Sequence, residues 1–313
     1  MELDFKELQG LSIEQMDALF FDGETLREPA YKVYQLNSQG HRYYYRFTEQ
    51  GEPQFYPSVT TILSQTMPTP PHLIKWIADK GYEEADAYKN ERAAYGTFMH
   101  AQFETLLIER SYDLDALPEK LKKYIEDNRL AESFINYADS LKKDVLAFAQ
   151  FVQDYDVKPM AVEIALVSES GHYAGMIDCP CTMKISPKKE ERTTAIVDFK
   201  SGRNGFFEGC EIQLHLYKRM FEENFGVQIE RLYNFAPKDW RKSPTYTLKD
   251  QTDSKNAAKI EPILAIAKIE DDKRENVFTH VSGIISLDNG ADLENNITSL
   301  SLSELVKLRA ETK

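Results

Sequence analysis

An aspartate and a lysine two residues apart, Asp198 and Lys200, stand at the end of the apolar segment TTAIVDF (193–199). Residues i and i+2 of a β-strand share a face, so we expect the two charged groups side by side where the strand ends. A carboxylate and an ammonium group in this arrangement can hold a divalent cation and face the same phosphate. The segment is therefore a candidate site for phosphate chemistry.

The Asp-x-Lys tripeptide by itself is typical of a surface ion pair. It recurs at four other places in this chain, at 4–6, 156–158, 253–255 and 271–273. None of those four ends an apolar segment that follows an acid-bearing one. The setting of Asp198 and Lys200, more than the tripeptide, favours chemistry at this position.

A second aspartate, Asp178, lies within the apolar segment YAGMIDCPCTMKI (173–185). An unpaired carboxylate inside a buried strand is unfavourable, so it needs a partner. Two consecutive strands that each carry one aspartate can bring Asp178 beside Asp198, where the like charges raise each other's pKa unless a cation lies between them. A structural aspartate that accepts backbone N–H bonds is the alternative interpretation.

Two further pairs of polar residues have helical spacing. His100 and Glu104 are four residues apart and share a helix face, so the imidazole could bind a metal ion, with Glu104 as a ligand or as the group that orients the ring. Gln213 and Tyr217 have the same spacing beside an apolar stripe and could reach a phosphate or a base. Taken alone, each pair is also typical of an ordinary packed or solvated helix.

The elements that must position these residues alternate along the chain. Helical periodicity dominates 56–154, and three strands are predicted next, at 161–168, 173–185 and 193–199. A helix over 208–225 and a strand over 227–236 follow. This order predicts an α/β fold with a mixed central sheet flanked by helices, together with a helical N-terminal region.

The same pattern divides the chain into a core and two extensions. We expect a helix and a hairpin over 1–55, a core with a helical insert over 56–250, and a helix–strand–helix extension over 251–313. Ser301 and Glu304 have the spacing of a capping box, which predicts the start of the last helix there.

Composition restricts the classes of function. The 313 residues include 51 acidic and 38 basic side chains, a net charge of −13, which disfavours general coating of nucleic acid but permits a focused site. The three cysteines cannot form a disulfide framework. We find no signal-peptide pattern and no apolar run long enough to span a membrane, so we expect a cytoplasmic protein without a membrane partner.

In chain order, four motifs resemble the RecB-like exonuclease branch of the PD-(D/E)XK nuclease superfamily. The motifs are G-T-x-x-H at 96–100, G-x-x-D at 175–178, D-x-K at 198–200 and Q-x-x-x-Y at 213–217. The segment 56–81 is also similar to the corresponding part of exonucleases such as the mitochondrial genome maintenance exonuclease and its phage relatives. The resemblance covers about 56–235 and implies a core similar to that of restriction endonucleases.

The resemblance also implies roles for individual residues. It implies that Mg²⁺ or Mn²⁺ binds at His100, Asp178, Asp198 and the backbone carbonyl of Phe199. Oxygen ligands suit Mg²⁺, and the imidazole shifts the preference toward Mn²⁺. With Asp178 and Asp198, Lys200 completes the implied catalytic group.

Four more residues belong to the implied site less directly. Gln213 and Tyr217 are implied to bind the substrate beside the broken bond. Glu104 and Glu163 are further candidate acids near the metal ion.

Some relatives carry four cysteines that bind an iron–sulfur cluster. This chain has three, Cys179, Cys181 and Cys210, so we predict no such cluster. A zinc site of three cysteines and one histidine is formally possible, but Cys-x-Cys within a strand is poor ligand spacing. We interpret all three as core or near-core thiols.

The resemblance implies a metal-dependent DNA nuclease, most simply an exonuclease on single-stranded or end-exposed DNA in replication, repair or recombination. DNA is then the partner, and replication or recombination proteins are candidate partners. For substrate binding we expect Lys238, Arg241 and Lys242, interleaved with Trp240, although a solvated loop explains them equally well. The segment RYYYRF (42–47) is a second candidate, although its tyrosines are expected to pack a hairpin.

Two other classes of function remain open. One is a catalytically idle DNA-binding or recombination accessory module, which the intact Asp198 and Lys200 pair disfavours. The other is an acidic protein–protein adaptor, which the run of three strands carrying Asp178 and Asp198 disfavours.

Overall fold

The computed structural model describes most of the chain, namely residues 10–20, 32–38, 41–202, 206–272, 277–283 and 296–311. Its secondary structure is α/β, as predicted, with a mixed five-stranded sheet and helices on both faces. In the described residues, no helix is both long enough and apolar enough to cross a membrane.

The N-terminal region is mostly sheet, and the prediction of a helical region is wrong for its described residues. One short helix, α1 (Ile13–Phe20), precedes an antiparallel sheet of β1 (Tyr34–Ser38), β2 (His41–Phe47) and β3 (Pro53–Pro57). The reason is local, because clustered aromatic side chains favour a pleated surface on which cross-strand rings can pack. Part of the predicted N-terminal helix, at 1–9, lies outside the described residues.

A helical block follows this sheet. Its helices are α2 (Val59–Thr66), α3 (Pro71–Lys80), α4 (Tyr82–Glu109), α5 (Leu117–Asn128) and α6 (Ala138–Asp154), with a 3₁₀ helix at Glu132–Tyr137. Ser58 caps α2 by accepting a hydrogen bond from the backbone N–H of Thr61. The long helix α4 carries the predicted histidine motif along its second half.

The second half of the core contains most of the strands. They are β4 (Lys158–Pro159), β5 (Ile164–Ser168), β6 (Tyr173–Ile177), β7 (Cys179–Lys184) and β8 (Arg192–Phe199), then α7 (Glu208–Phe225), β9 (Arg231–Pro237) and β10 (Tyr246–Asp250). In the central sheet the order is β10-β9-β8-β7-β4, and β8 and β9 are parallel while the other neighbours are antiparallel. A separate hairpin is formed by β5 and β6.

Strand β8 separates two apolar cores. Its residue Ile196 packs on the side of α2 and α7, whereas Val197 and Phe199 pack on the side of α4 and α6. The ring of Phe199 lies 5.0 Å from that of Phe148, and its side chain is 1% exposed, as alternation along the strand predicts. The same alternation turns Asp198 away from Phe199.

The C-terminal region returns to the N-terminal sheet. It consists of a 3₁₀ helix (Lys255–Lys259), α8 (Ile260–Asp272), β11 (Val277–Val281), β12 (Ile297–Ser301) and α9 (Leu302–Glu311). The predicted capping box is confirmed, since Ser301 and Glu304 exchange hydrogen bonds at the start of α9. Leu302 and Val306 of α9 form a buried cluster with Leu36 and Tyr43 of the N-terminal sheet.

Candidate functional site

Asp178 lies at a junction between two sheets. The predicted strand 173–185 is two strands, because β6 pairs with β5 and β7 pairs with β8, and Asp178 is the residue between them. The register that pairs Cys179 with Val197 puts Asp178 opposite Asp198, as the hairpin argument predicts. One oxygen of Asp178, Oδ2, accepts the backbone N–H of Phe199 at 2.6 Å, which leaves Oδ1 for other partners.

A histidine and two carboxylates converge beside this junction. The Nδ1 atom of His100 lies 3.1 Å from Oε1 of Glu163 and 3.8 Å from Oδ1 of Asp178. One ligand atom from each of the three residues falls within 4.8 Å of the others. Imidazole nitrogen and carboxylate oxygen are suitable donors for Mn²⁺ and Mg²⁺, so this group could hold one divalent cation.

The backbone around Glu163 is strained in a way that directs its side chain. Glu163 has a φ of 49°, in the left-handed region that non-glycine residues seldom adopt. Its N–H donates to the backbone carbonyl of Asp178 at 2.9 Å, which fixes the two acids relative to each other. Such strain is common where side-chain placement matters for function.

Protonation equilibria reflect the crowding of charge. Burial alone would lower the pKa of His100, but the carboxylates of Asp178 and Glu163 outweigh it and raise the pKa to about 9. Burial raises the pKa of Asp178, opposed by His100 and reinforced by Glu163. Asp178 and Glu163 compete for one cationic partner, His100. A bound divalent ion would relieve the repulsion between the two carboxylates.

Asp198 lies beside this group but has other partners. Its carboxylate accepts hydrogen bonds from Lys200 Nζ at 2.7 Å and from Asn234 Nδ2 at 2.8 Å. Burial raises the pKa of Asp198 to about 6, and Lys200 acts in the opposite direction. The carbonyl of Phe199, another implied ligand, accepts a hydrogen bond from His100 Nε2 at 3.0 Å, and Nδ1 of the same ring faces Glu163 and Asp178.

Lys200 connects the carboxylate to the motif on α7. Its Nζ also donates to Gln213 Oε1 at 3.1 Å, and Gln213 Nε2 donates to the hydroxyl of Tyr217 at 2.7 Å. The two residues predicted to share a helix face therefore form one chain of hydrogen bonds with Lys200.

Both glycines of the motifs allow a close approach. A Cβ atom at Gly175 would lie 2.7 Å from Cε1 of Tyr217, so the tyrosine ring requires glycine there. A Cβ atom at Gly96 would lie 3.2 Å from the hydroxyl oxygen of Ser201, where α4 meets the turn after Lys200. These glycines bring the four motifs into contact.

Asn234 and Gln251 lie beside Asp198, although no sequence motif points to them. The parallel register pairs Asn234 with Asp198, and Gln251 Nε2 donates to Asn234 Oδ1 at 3.1 Å. Both side chains are almost fully buried. The amide of Asn234 within the otherwise apolar strand RLYNFAP is the sequence feature that could have indicated this position.

One cavity of about 900 Å³ joins these groups. Its lining includes the predicted residues His100, Glu104, Glu163, Asp178, Asp198, Lys200, Gln213 and Tyr217. Burial raises the pKa of Glu104, one helical turn beyond His100. The lining also contains Arg92, to which no sequence motif points, and Arg42 and Tyr44 from the N-terminal sheet.

The predicted basic loop lies elsewhere. Lys238, Arg241 and Lys242 are exposed after β9 and do not line the cavity. Trp240 donates a hydrogen bond from Nε1 to the carbonyl of Lys143, so its ring is held against α6.

The cysteines are free thiols within the described residues. Cys179 and Cys181 are buried in the core beside α4 and α6, and Cys210 is partly buried in the first turn of α7.

Comparisons with known proteins add little to this geometry. No protein-family model matches the chain. No curated protein matches it either. The chain is similar to the crystal structure of SSO0001 at 11% sequence identity and a TM-score of 0.25, over 56% of this chain and 86% of that one. A similarity this low supports no inference about function.

The site can therefore combine three kinds of chemistry in one cavity. His100, Glu163 and Asp178 offer a cation site, Lys200 offers a fixed positive charge, and Gln213 offers an amide beside it. The ammonium group of Lys200 lies 2.7 and 2.9 Å from the two carboxylate oxygens of Asp198 and 3.1 Å from Oε1 of Gln213. These contacts hold its positive charge at the wall of the cavity.

Proposed function

We propose that this protein is a metal-dependent nuclease that hydrolyses phosphodiester bonds of DNA, with a core of the restriction-endonuclease-like, RecB-like type. The observation that carries the proposal is the position of Lys200 beside two buried acids and a histidine–carboxylate group, all lining one cavity. The order of the four motifs along the chain supports the same function.

In the proposed hydrolysis, each residue of the site has a different role. A Mg²⁺ or Mn²⁺ ion held by His100, Glu163 and Asp178 would polarise the phosphate and lower the pKa of a bound water. Lys200 places positive charge where the transition state gains negative charge. Asp198 and Gln213 fix the direction of the ammonium group through their hydrogen bonds.

Further polar groups hold this arrangement in place. Asn234 orients the carboxylate of Asp198, and Gln251 orients the amide of Asn234. Tyr217 holds Gln213 from the other side. Because every member of this network has a partner, Lys200 needs little reorganisation when substrate binds.

The proposed substrate is single-stranded or end-exposed DNA, and the proposed action is exonucleolytic. The test incubates the purified protein with end-labelled linear DNA, single- and double-stranded, and with circular single-stranded DNA. Each is assayed with Mg²⁺, with Mn²⁺ and with EDTA. We expect cleavage of linear single strands that requires the metal ion and spares circles.

Cleavage of circular DNA would show that the protein acts as an endonuclease and not as an exonuclease. DNA binding without cleavage in any metal would favour the alternative, a catalytically idle accessory module, and would overturn the proposal.

A further inference from the structure

The N-terminal sheet has two different faces. Tyr43 of β2 points outward into the cluster with Leu36 and α9, whereas Tyr44 points toward the central fold and is 1% exposed. Arg42 lies two residues from Tyr44 and so shares its face. Gln35 of β1 is paired with Tyr44 and lines the same cavity. The inner face of this sheet is thus one wall of the candidate active site.

Tyr44 places this wall close to the acids. Burial raises the pKa of the Tyr44 hydroxyl, Arg42 lowers it, and the charges of Glu163 and Asp178 raise it further. Arg42 itself is exposed and lines the cavity. Its side chain hydrogen-bonds to that of Tyr44, and within the described residues it forms no ion pair. A guanidinium group has five N–H donors, so the others can contact an anion in the cavity.

A second arginine lines the opposite part of the cavity. Arg92 precedes His100 by two turns of α4, about 12 Å along the helix axis. Its Nη2 donates to the carbonyl of Ser201 at 3.2 Å, and its guanidinium group lies over the ring of Tyr95 at 4.3 Å from the centroid. These contacts fix Arg92 on the side of Lys200, whereas Arg42 lies on the side of Glu163 and Tyr44.

Charge balance gives the two arginines a role. The cavity is lined by four carboxylates, those of Glu104, Glu163, Asp178 and Asp198, in a chain of net charge −13. One bound divalent cation and Lys200 offset only part of this charge. A polyanion that enters the cavity needs further cations beyond the reacting phosphate.

We propose that Arg42 is a substrate-binding residue and that Arg42 and Arg92 contact the phosphodiester backbone on opposite sides of the bond that is cleaved. The N-terminal sheet then forms part of the substrate channel, and the C-terminal helix α9 supports its outer face. This inference rests on the proposed function for the identity of the polyanion, and its test measures binding separately from cleavage.

The test compares Arg42→Gln with a matched variant, Arg46→Gln. Arg46 lies on the same face of β2 but forms an ion pair with Glu169, outside the cavity. Binding of a fluorescent single-stranded oligonucleotide is titrated in EDTA over a series of NaCl concentrations. We expect Arg42→Gln to weaken binding about tenfold and to reduce the slope of log affinity against log salt by about 0.7.

The controls separate charge from structure. Arg42→Lys should retain most of the salt slope, Arg46→Gln should match the wild type, and thermal denaturation reports whether each variant is folded. Equal salt slopes for the wild type and Arg42→Gln overturn this inference, whether or not the wild type cleaves DNA. Absence of cleavage together with the expected slopes overturns the nuclease assignment and supports Arg42 as a phosphate contact.

Discussion

The two sides of the cavity are built in different ways. On the central-sheet side, Asp198 and Asp178 are 1% and 7% exposed, and each accepts hydrogen bonds from fixed donors. On the N-terminal side, Arg42 is exposed at the surface of a small sheet. One side fixes its charges inside the fold, and the other presents charge to solvent.

This difference teaches what each side can do. Buried charges with fixed partners can stabilise a transition state because they do not need to reorganise. An exposed guanidinium group is a weaker and more adaptable contact, suited to a repeating phosphate backbone. Substitutions on the central side should therefore affect rate strongly, whereas those on the N-terminal side should affect binding and its salt dependence.

The largest effect is expected for Lys200→Ala. This change removes the positive charge that we propose to lie beside the reacting phosphate, so we expect the cleavage rate to fall by about 10²–10³-fold. Metal affinity, measured by Mn²⁺ titration, should be unchanged or tighter, because a nearby positive charge is lost. DNA affinity should fall only modestly, since one phosphate contact among several is removed.

Lys255→Ala is the matched control, since Lys255 ends another Asp-x-Lys tripeptide and is exposed. Its cleavage rate should equal that of the wild type. Equal losses of cleavage rate in Lys200→Ala and Lys255→Ala would indicate that only the overall charge of the protein matters. The difference between the two sides of the cavity would then not explain the rate.

The second effect concerns the cation site. Mn²⁺ should raise the melting temperature of the wild type, because the ion binds the folded state and relieves the repulsion between Asp178 and Glu163. Asp178→Asn should remove most of this rise and abolish cleavage while the protein stays folded. The measurement is thermal denaturation with and without Mn²⁺, and a full metal-induced rise in the variant would contradict the assignment of Asp178 as a ligand.

These comparisons also show what sequence could predict. Helical spacing predicted that Gln213 and Tyr217 share a helix face, and strand alternation predicted that Asp198 and Lys200 share a strand face, because both patterns are local. That these residues and His100 belong to one site was implied only by the family resemblance. Contacts between different helices and strands were harder to predict from the sequence. Glu163 was only a secondary candidate, since its approach to His100 depends on a positive φ that the residue type does not indicate.

The misses have the same origin. The apolar pattern predicts one strand over 173–185, whereas the chain changes sheets at Asp178, and apolar residues continue on both sides of that point. The segment 42–47 is a predicted second candidate for substrate binding, but its place in the wall of the cavity depends on tertiary packing between β2 and the core. No local pattern reports that packing.

The third effect tests how tightly the central side is packed. In Gly175→Ala the new methyl group would overlap the ring of Tyr217, which must move away from Gln213. Overpacking of this kind costs about 1–3 kcal/mol of stability. We expect a lower melting temperature and a lower cleavage rate.

Gly202→Ala serves as the control, because a Cβ atom at Gly202 meets nothing within 4 Å. That variant should retain the melting temperature of the wild type. A Gly175→Ala protein with unchanged stability and rate would show that the position of Tyr217 is not constrained as the structure indicates.

The smallest effect is expected for the basic loop, in the triple variant Lys238→Gln, Arg241→Gln and Lys242→Gln. The loop follows β9, which runs parallel to β8, so it lies at the same edge of the sheet as Lys200 but outside the cavity. DNA that extends beyond the cavity could contact it, and these contacts would be exposed and screened by salt. We expect the cleavage rate at saturating DNA to be unchanged and KM to rise at physiological salt. For long oligonucleotides the salt slope should fall by about 2, and for oligonucleotides of a few nucleotides it should not change. A loss of maximal rate with short substrates would place the loop at the reacting phosphate and remove the distinction between the cavity and its surroundings.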